Sequence, residues 1–163
     1  MMEQMERSQQ WLEKLLLLMG MPVSVTGSIR EKQEEDSEAI WLTIEEAGLT
    51  AEQIEALIGP GGSTLDAIQY LANTVLNLSL ESDSQRALTV ELHGYRVQRQ
   101  AQLRALVEKV AQQVRETGEE AEMTDLSSAE RRQVHHFLKQ SEDLESISRG
   151  QEPHRRLVVR LRS

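Results

Sequence analysis

The sequence predicts an α+β protein with two small units, at residues 1–94 and 119–163, joined by a helix at 95–118. Helical and strand periodicities follow one another in the order α-β-β-α-α-β, then the joining helix, then β-α-β-β. A length of 163 residues suits one domain or two small ones. Apolar residues make up 39% of the chain and charged residues 28%, which is typical of globular proteins.

The first unit opens with an amphipathic helix over residues 3–19, which ends at Gly20. Two strands follow at 22–30 and 39–45, because apolar and polar residues alternate there. The acidic segment between them, residues 31–38, is predicted to be a solvated hairpin loop.

Two helices and a strand complete the first unit. A T-A-E-Q capping box at Thr50 begins the first of these two helices, and a glycine-rich turn at 59–62 ends that helix. The second helix covers about 63–78, and a strand with clean alternation follows at 87–93.

The second unit is predicted to hold a short strand at 121–124 and a helix that a capping box at Ser127 opens. Two further strands at 144–148 and 156–162 complete the unit.

Composition excludes several classes of site. Without cysteine, the chain has no disulfide, thiolate metal site or cysteine nucleophile, and four histidines alone are a poor metal set. No base and nucleophile pair is visible, which argues against an enzyme. The longest apolar run, residues 15–19, is too short to span a bilayer, and the N-terminus is acidic. We therefore expect a soluble cytoplasmic protein with no membrane segment, cofactor, metal or small-molecule substrate.

Charge is distributed unevenly, although the net charge is −9. Residues 1–94 hold 5 Lys and Arg against 16 Asp and Glu, whereas residues 131–163 hold 8 against 4. All but four of the 18 basic residues are Arg, which makes planar, bidentate contacts with phosphate. The pattern indicates either an anion-binding surface near the C-terminus or only a gradient of solvated charge.

The turn I-G-P-G-G-S-T at 58–64 joins two helices. It lacks the lysine of a phosphate-binding P-loop, and no strand precedes it as in a dinucleotide-binding fold. Its backbone N–H groups and the N-terminus of the next helix could hold a phosphate. A tight turn without a ligand is the alternative.

Arg131 and His135 lie one helical turn apart in E-R-R-Q-V-H. The last strand is expected to send Leu157, Val159 and Leu161 into the core, and Arg156, Val158, Arg160 and Arg162 to the other face. This combination favours a phosphate-binding surface, and the alternative is a set of ordinary surface ion pairs.

Five segments in this order resemble the bacterial Jag family (also called KhpB or SpoIIIJ-associated), whose members have a KH domain followed by an R3-H domain. The segments are L-L-L-L-M-G at 15–20, L-I-G-P-G-G-S-T-L-D-A-I-Q-Y-L at 57–71, H-G-Y-R-V-Q-R at 93–99, E-R-R-Q-V-H at 130–135 and S-R-G-Q-E-P-H-R-R-L-V-V at 148–159. The resemblance implies a type II KH domain at 1–94, a linking helix at 95–118 and an R3-H domain at 119–163.

The resemblance also implies the residues that contact RNA. In the KH loop they are Ile58, Gly59, Pro60, Gly61, Gly62, Ser63 and Thr64. In the R3-H domain they are Arg131, Arg132, His135, Ser148, Gly150, His154, Arg155 and Arg156. Additional candidates at the start of the linking helix, expected near the R3-H surface, are Tyr95, Arg96 and Arg99.

The function that the resemblance implies is non-catalytic binding of single-stranded RNA, in post-transcriptional regulation linked to cell elongation and division. The alternative is a protein-interaction module that pairs with another KH-domain protein or with itself and binds little RNA. Relatives usually carry basic residues where this loop has Pro60 and Gly61, so weak binding by the loop is expected. The chain is expected to be a short form without the N-terminal Jag domain.

Overall fold

The computed structural model describes residues 1–31 and 38–163, so most of the predicted acidic loop lies outside the described residues. The helices are α1 Met2–Leu18, α2 Ala51–Ile58, α3 Ser63–Asn77, α4 Tyr95–Thr117 and α5 Ser128–Lys139. The strands are β1 Val25–Glu31, β2 Glu38–Ile44, β3 Leu88–Leu92, β4 Ala121–Met123, β5 Leu144–Arg149 and β6 Arg156–Leu161. The predicted α+β class is confirmed, and the chain divides into units Met1–Arg96 and Val97–Ser163.

The first unit packs three helices on one face of a three-stranded sheet. The strand order is β1-β2-β3, with β1 and β2 antiparallel and β2 and β3 parallel. A parallel pair needs a crossover, and here the crossover consists of α2, the glycine turn and α3. The buried core combines Leu12 and Leu16 of α1 with Leu65 of α3 and with Leu42 and Val90 of the sheet.

Side-chain amides of α3 bind the outer edge of β3. Asn77 bonds to the backbone N–H and C=O of Arg86, and Asn73 bonds in the same way to Leu88. The Val90 N–H donates to Gln69, and the Val90 carbonyl accepts from Arg96 Nε. These bonds fix α3, and with it the glycine turn, against the sheet.

The second unit packs α4 and α5 on one face of an antiparallel sheet with the order β4-β6-β5. The alternation predicted for the last strand is only partly correct. Leu157 and Val159 are in the core as expected, but Val158 is also fully buried, and Leu161 is 41% exposed. Val158 is buried because it lies in the middle of β6, the central strand, which has neighbours on both sides. Leu161 is exposed because it is the last residue of that strand.

Within residues 1–31 and 38–163, no helix is both long enough and apolar enough to cross a membrane.

Candidate functional site

The turn between α2 and α3 requires glycine for two different reasons. Gly59, Gly61 and Gly62 all have positive φ angles, of 71°, 60° and 79°. Residues with a Cβ atom rarely adopt this backbone conformation. At Gly59 a Cβ atom would also lie 2.3 Å from Thr64 Oγ1. The backbone therefore folds back tightly on the start of α3 after Ile58, and Pro60 is exposed at its tip.

The ring of Tyr95 lies directly over Gly62, where a Cβ atom would be 2.4 Å from the tyrosine hydroxyl oxygen. Gly61 differs, because a Cβ atom there would meet no atom within 4 Å. The turn thus has one side closed by Tyr95 and one side open at Gly61.

The N-terminus of α3 lies at the turn. Gly62 is the N-cap residue and supplies no side-chain cap, while the N–H groups of Gly62 and Ser63 donate to the carbonyls of Gly59 and Pro60 within the turn. Ser63 is exposed and Thr64 half-buried. The acidic residue of the first turn, Asp66, accepts a 2.5 Å hydrogen bond from Arg96 Nη1, which compensates its charge. The turn has no cationic side chain of its own, so contact with an anion there would depend on its backbone.

Of the three candidates at the start of α4, two belong to this first site. Tyr95 contacts the glycine turn and Arg96 pairs with Asp66, whereas Arg99 Nε donates to Glu130 at 2.5 Å in the second unit.

In the second unit, Arg131 is buried, with 7% of its side chain exposed. Its Nη1 donates to the carbonyls of Leu126 and Arg155 at 2.8 and 3.3 Å. Its Nη2 donates to Ser128 Oγ and to the carboxylate of Glu152. Four acceptors inside the protein therefore occupy the two terminal nitrogens that would otherwise bind phosphate.

His135 lies one turn further along α5, between two serine hydroxyls of β5. Its Nδ1 is 2.5 Å from Ser146 Oγ, and its Nε2 is 3.0 Å from Ser148 Oγ. Burial lowers the pKa of His135 below its ordinary value, and the nearby cations Arg155, Lys139 and Arg131 lower it further. The imidazole is therefore neutral at pH 7, in a positive local potential.

The loop between β5 and β6 carries three of the predicted residues, Gly150, His154 and Arg155. Gly150 has a φ of 85°, and a Cβ atom there would lie 3.2 Å from the carbonyl oxygen of His154. Both His154 and Arg155 are exposed. Because Arg131 holds Glu152 and the Arg155 carbonyl, it fixes the shape of this loop beside His135.

The structure separates Arg156 from His135. Strand alternation places Arg156 on the sheet face opposite to Leu157 and the helices, and its Nε lies 3.3 Å from Glu122. Two other arginines of this sheet also form ion pairs: Arg160 pairs with Glu145, and Arg149 pairs with Glu120. Arg132 is exposed on α5.

In the part of the chain that the structure describes, no group of three or more histidines and carboxylates is arranged to hold a metal ion.

Comparison with known proteins matches residues 101–161 to the R3-H domain family. A protein of Clostridium symbiosum named RNA-binding protein KhpB is 27% identical over 157 residues, which is 96% of this chain and 66% of that protein. Proteins with the same name are 35% identical over 106 residues in Lactiplantibacillus plantarum and 31% identical over 113 residues in Bacillus subtilis. These two alignments cover 65% and 68% of this chain.

The chain belongs to the KhpB (Jag) family. The resemblance stated from the sequence is therefore confirmed. The alignments cover 66%, 32% and 53% of the lengths of these KhpB relatives, so this chain matches only part of each. The R3-H match includes every predicted residue from Arg131 to Arg156.

Sequence reasoning missed three residues of this KhpB-family chain that lie beside His135 or bind Arg131. Lys139 follows His135 by one helical turn, Ser146 alternates with Ser148 on β5, and Glu152 binds Arg131. Helical spacing and strand alternation were sufficient signals for the first two residues. No local signal marks Glu152, because its partner lies on another element.

Proposed function

We propose that this KhpB-family chain binds single-stranded RNA without catalysis, and that the surface around His135 provides most of the binding. The observation that carries this proposal is the half-buried His135 imidazole between the hydroxyls of Ser146 and Ser148, with the cations Arg155 and Lys139 near it. Positive potential together with uncharged donors suits a phosphodiester backbone. The names of the KhpB relatives point to the same ligand.

Within this proposal, the predicted R3-H residues have different roles. His135, Ser148, His154 and Arg155 contact RNA, while Arg131 and Gly150 shape the loop that presents them. Arg132 is exposed and remains a predicted contact. Arg156 contributes least, because its charge is paired with Glu122 on the other face.

We further propose that the first unit is a type II KH domain. Its element order α-β-β-α-α-β and the helix–G-x-x-G–helix turn support this assignment. In it, the backbone from Gly59 to Thr64 contacts RNA phosphates, with Gly61 as the point of closest approach because its surroundings are open. Without a cation in the turn, this contact is weaker than that of the second unit.

The test is a titration of fluorescent single-stranded RNA at several salt concentrations. For wild-type protein, the logarithm of affinity should fall linearly with the logarithm of salt. Arg155→Gln should weaken binding strongly, and Gly61→Asp moderately, since it adds a negative charge at an open position. Wild-type protein that binds no RNA at any salt concentration would refute the proposal.

A second candidate function is pairing with another KH-domain protein or a second copy. An exposed apolar stripe on and just after α3 favours it, because Leu71, Val75 and Leu78 are 46%, 44% and 81% exposed at helical spacing. A stable dimer or heterodimer that ignores RNA would favour this function over RNA binding. A regulatory role linked to cell elongation and division, and a cytoplasmic location, remain predictions from the sequence.

A further inference from the structure

A cavity of about 270 Å³ lies between the last turn of α5 and the start of β5. Its apolar wall includes Leu138 and Leu144, and its polar lining consists of His135, Lys139, Glu145, Ser146 and Arg162. Ligand pockets for drug-sized molecules usually measure about 300–1,000 Å³. The cavity is therefore slightly smaller than that range.

The cavity has an excess of positive charge. Neither Lys139 nor Arg162 belongs to an ion pair among the described residues, and Arg162 Nη2 donates to the carbonyl of Leu144 at 3.2 Å. The one acid in the lining, Glu145, accepts from Arg160 Nε at 2.6 Å, so its charge is compensated. Two cations therefore face an opening without a carboxylate to neutralise them, which favours an anion.

The cavity also continues the surface proposed above. His135 lines the cavity, and Ser146 joins it to His135 through the 2.5 Å hydrogen bond. On the other side of the same imidazole, Ser148 leads towards the loop that carries Arg155. Hydroxyl donors and cations thus extend along β5, which is an edge strand of its sheet.

We propose that this cavity binds a second phosphate of the same RNA strand, with Lys139 and Arg162 as its cationic contacts and Ser146 as a neutral donor. The strand then extends along β5, from Arg155 past His135 to Lys139. The proposal rests on the proposed RNA-binding function and adds three contacts, Lys139, Ser146 and Arg162, that lie outside the set predicted from the sequence.

The experiment measures the salt dependence of binding to a short fluorescein-labelled single-stranded RNA of mixed sequence. Lys139→Met and Arg162→Gln should each reduce the slope of log affinity against log salt by about 0.7, the value for one lost contact with a single strand. The double variant should reduce this slope by about twice as much as either single variant. Lys139→Arg keeps the charge and should keep the wild-type slope.

Lys109→Met is the matched control, because Lys109 is an exposed lysine of the second unit that does not line the cavity. Its loss should alter the slope less than the loss of Lys139. If the Lys139 and Arg162 variants bind RNA with the wild-type slope while Arg155→Gln is impaired, the second phosphate site is refuted and the proposed function stands. If wild-type protein binds no RNA, both proposals are refuted.

Discussion

The guanidinium of Arg131 donates to the carboxylate of Glu152, and this ion pair joins the first turn of α5 to the loop between β5 and β6. The same guanidinium holds the Arg155 carbonyl at 3.3 Å. Of the pair Arg131 and His135, the arginine is thus a buried structural residue, while His135 and the loop beside it form the accessible surface.

Arg131→Met should destabilise the second unit by about 2 kcal/mol, because it leaves buried carbonyls and the Glu152 carboxylate without their donor. Urea unfolding measures this loss. The matched control is Arg132→Met on the adjacent exposed residue, which should alter stability by no more than about 0.5 kcal/mol. Equal effects at the two positions would contradict the buried role of Arg131.

Arg155→Gln and Arg156→Gln should differ in RNA binding, although the residues are adjacent. Arg155 lies on the loop beside His135, whereas Arg156 is paired with Glu122 on the opposite sheet face. We expect the first variant to reduce the salt slope by about 0.7 and the second to leave it near the wild-type value. Anisotropy titrations at several salt concentrations measure both slopes, and a larger loss for Arg156→Gln would overturn this assignment.

Stability should depend on the titration of His135. Its pKa is lowered in the folded protein by burial and by the cations Arg155, Lys139 and Arg131, so the unfolded chain binds the proton more readily. The contribution of His135 to the free energy of unfolding is therefore fully present above the unfolded pKa of about 6.5. It is lost as pH falls towards the lower pKa of the folded protein. His135→Gln should lose less stability than wild type between about pH 7 and pH 5. Urea unfolding at several pH values measures both losses of stability. Equal losses for wild type and His135→Gln would contradict this expectation.

RNA should shift the same titration in the opposite direction. A phosphate beside the imidazole stabilises its charged form, so the pKa of His135 should rise in the complex and affinity should increase as pH falls. NMR titration of the His135 ring, with and without RNA, measures the shift. An unchanged pKa in the complex would place the bound phosphates away from His135.

Gly61→Ala and Gly62→Ala should separate backbone strain from steric overlap. Both positions have a positive φ, which costs about 1–2 kcal/mol for a residue with a side chain. At Gly62 the new Cβ would also overlap the Tyr95 ring, so its thermal unfolding temperature should fall further. Removing the ring with Tyr95→Ala should reduce the difference between the two variants, whereas an unchanged difference would exclude overlap with the ring as its cause.

Local signals in the sequence predicted local structure well. The capping boxes predicted at Thr50 and Ser127 are both present, because each involves residues within one turn. The burial of Arg131 was not predictable in this way, since arginine is usually exposed and its acceptors come from separate loops. The burial of Val158 likewise depends on strand order, which alternation within one strand does not reveal.

The amides that fix α3 to β3 also limit how the first unit can associate with other chains. An edge strand with free backbone groups is a template on which a foreign strand can extend the sheet. On β3, and at Arg86 just before it, Asn77, Asn73, Gln69 and Arg96 already occupy the outward-facing groups. A partner cannot add a strand there without first displacing α3, so that edge is closed to intermolecular β-pairing.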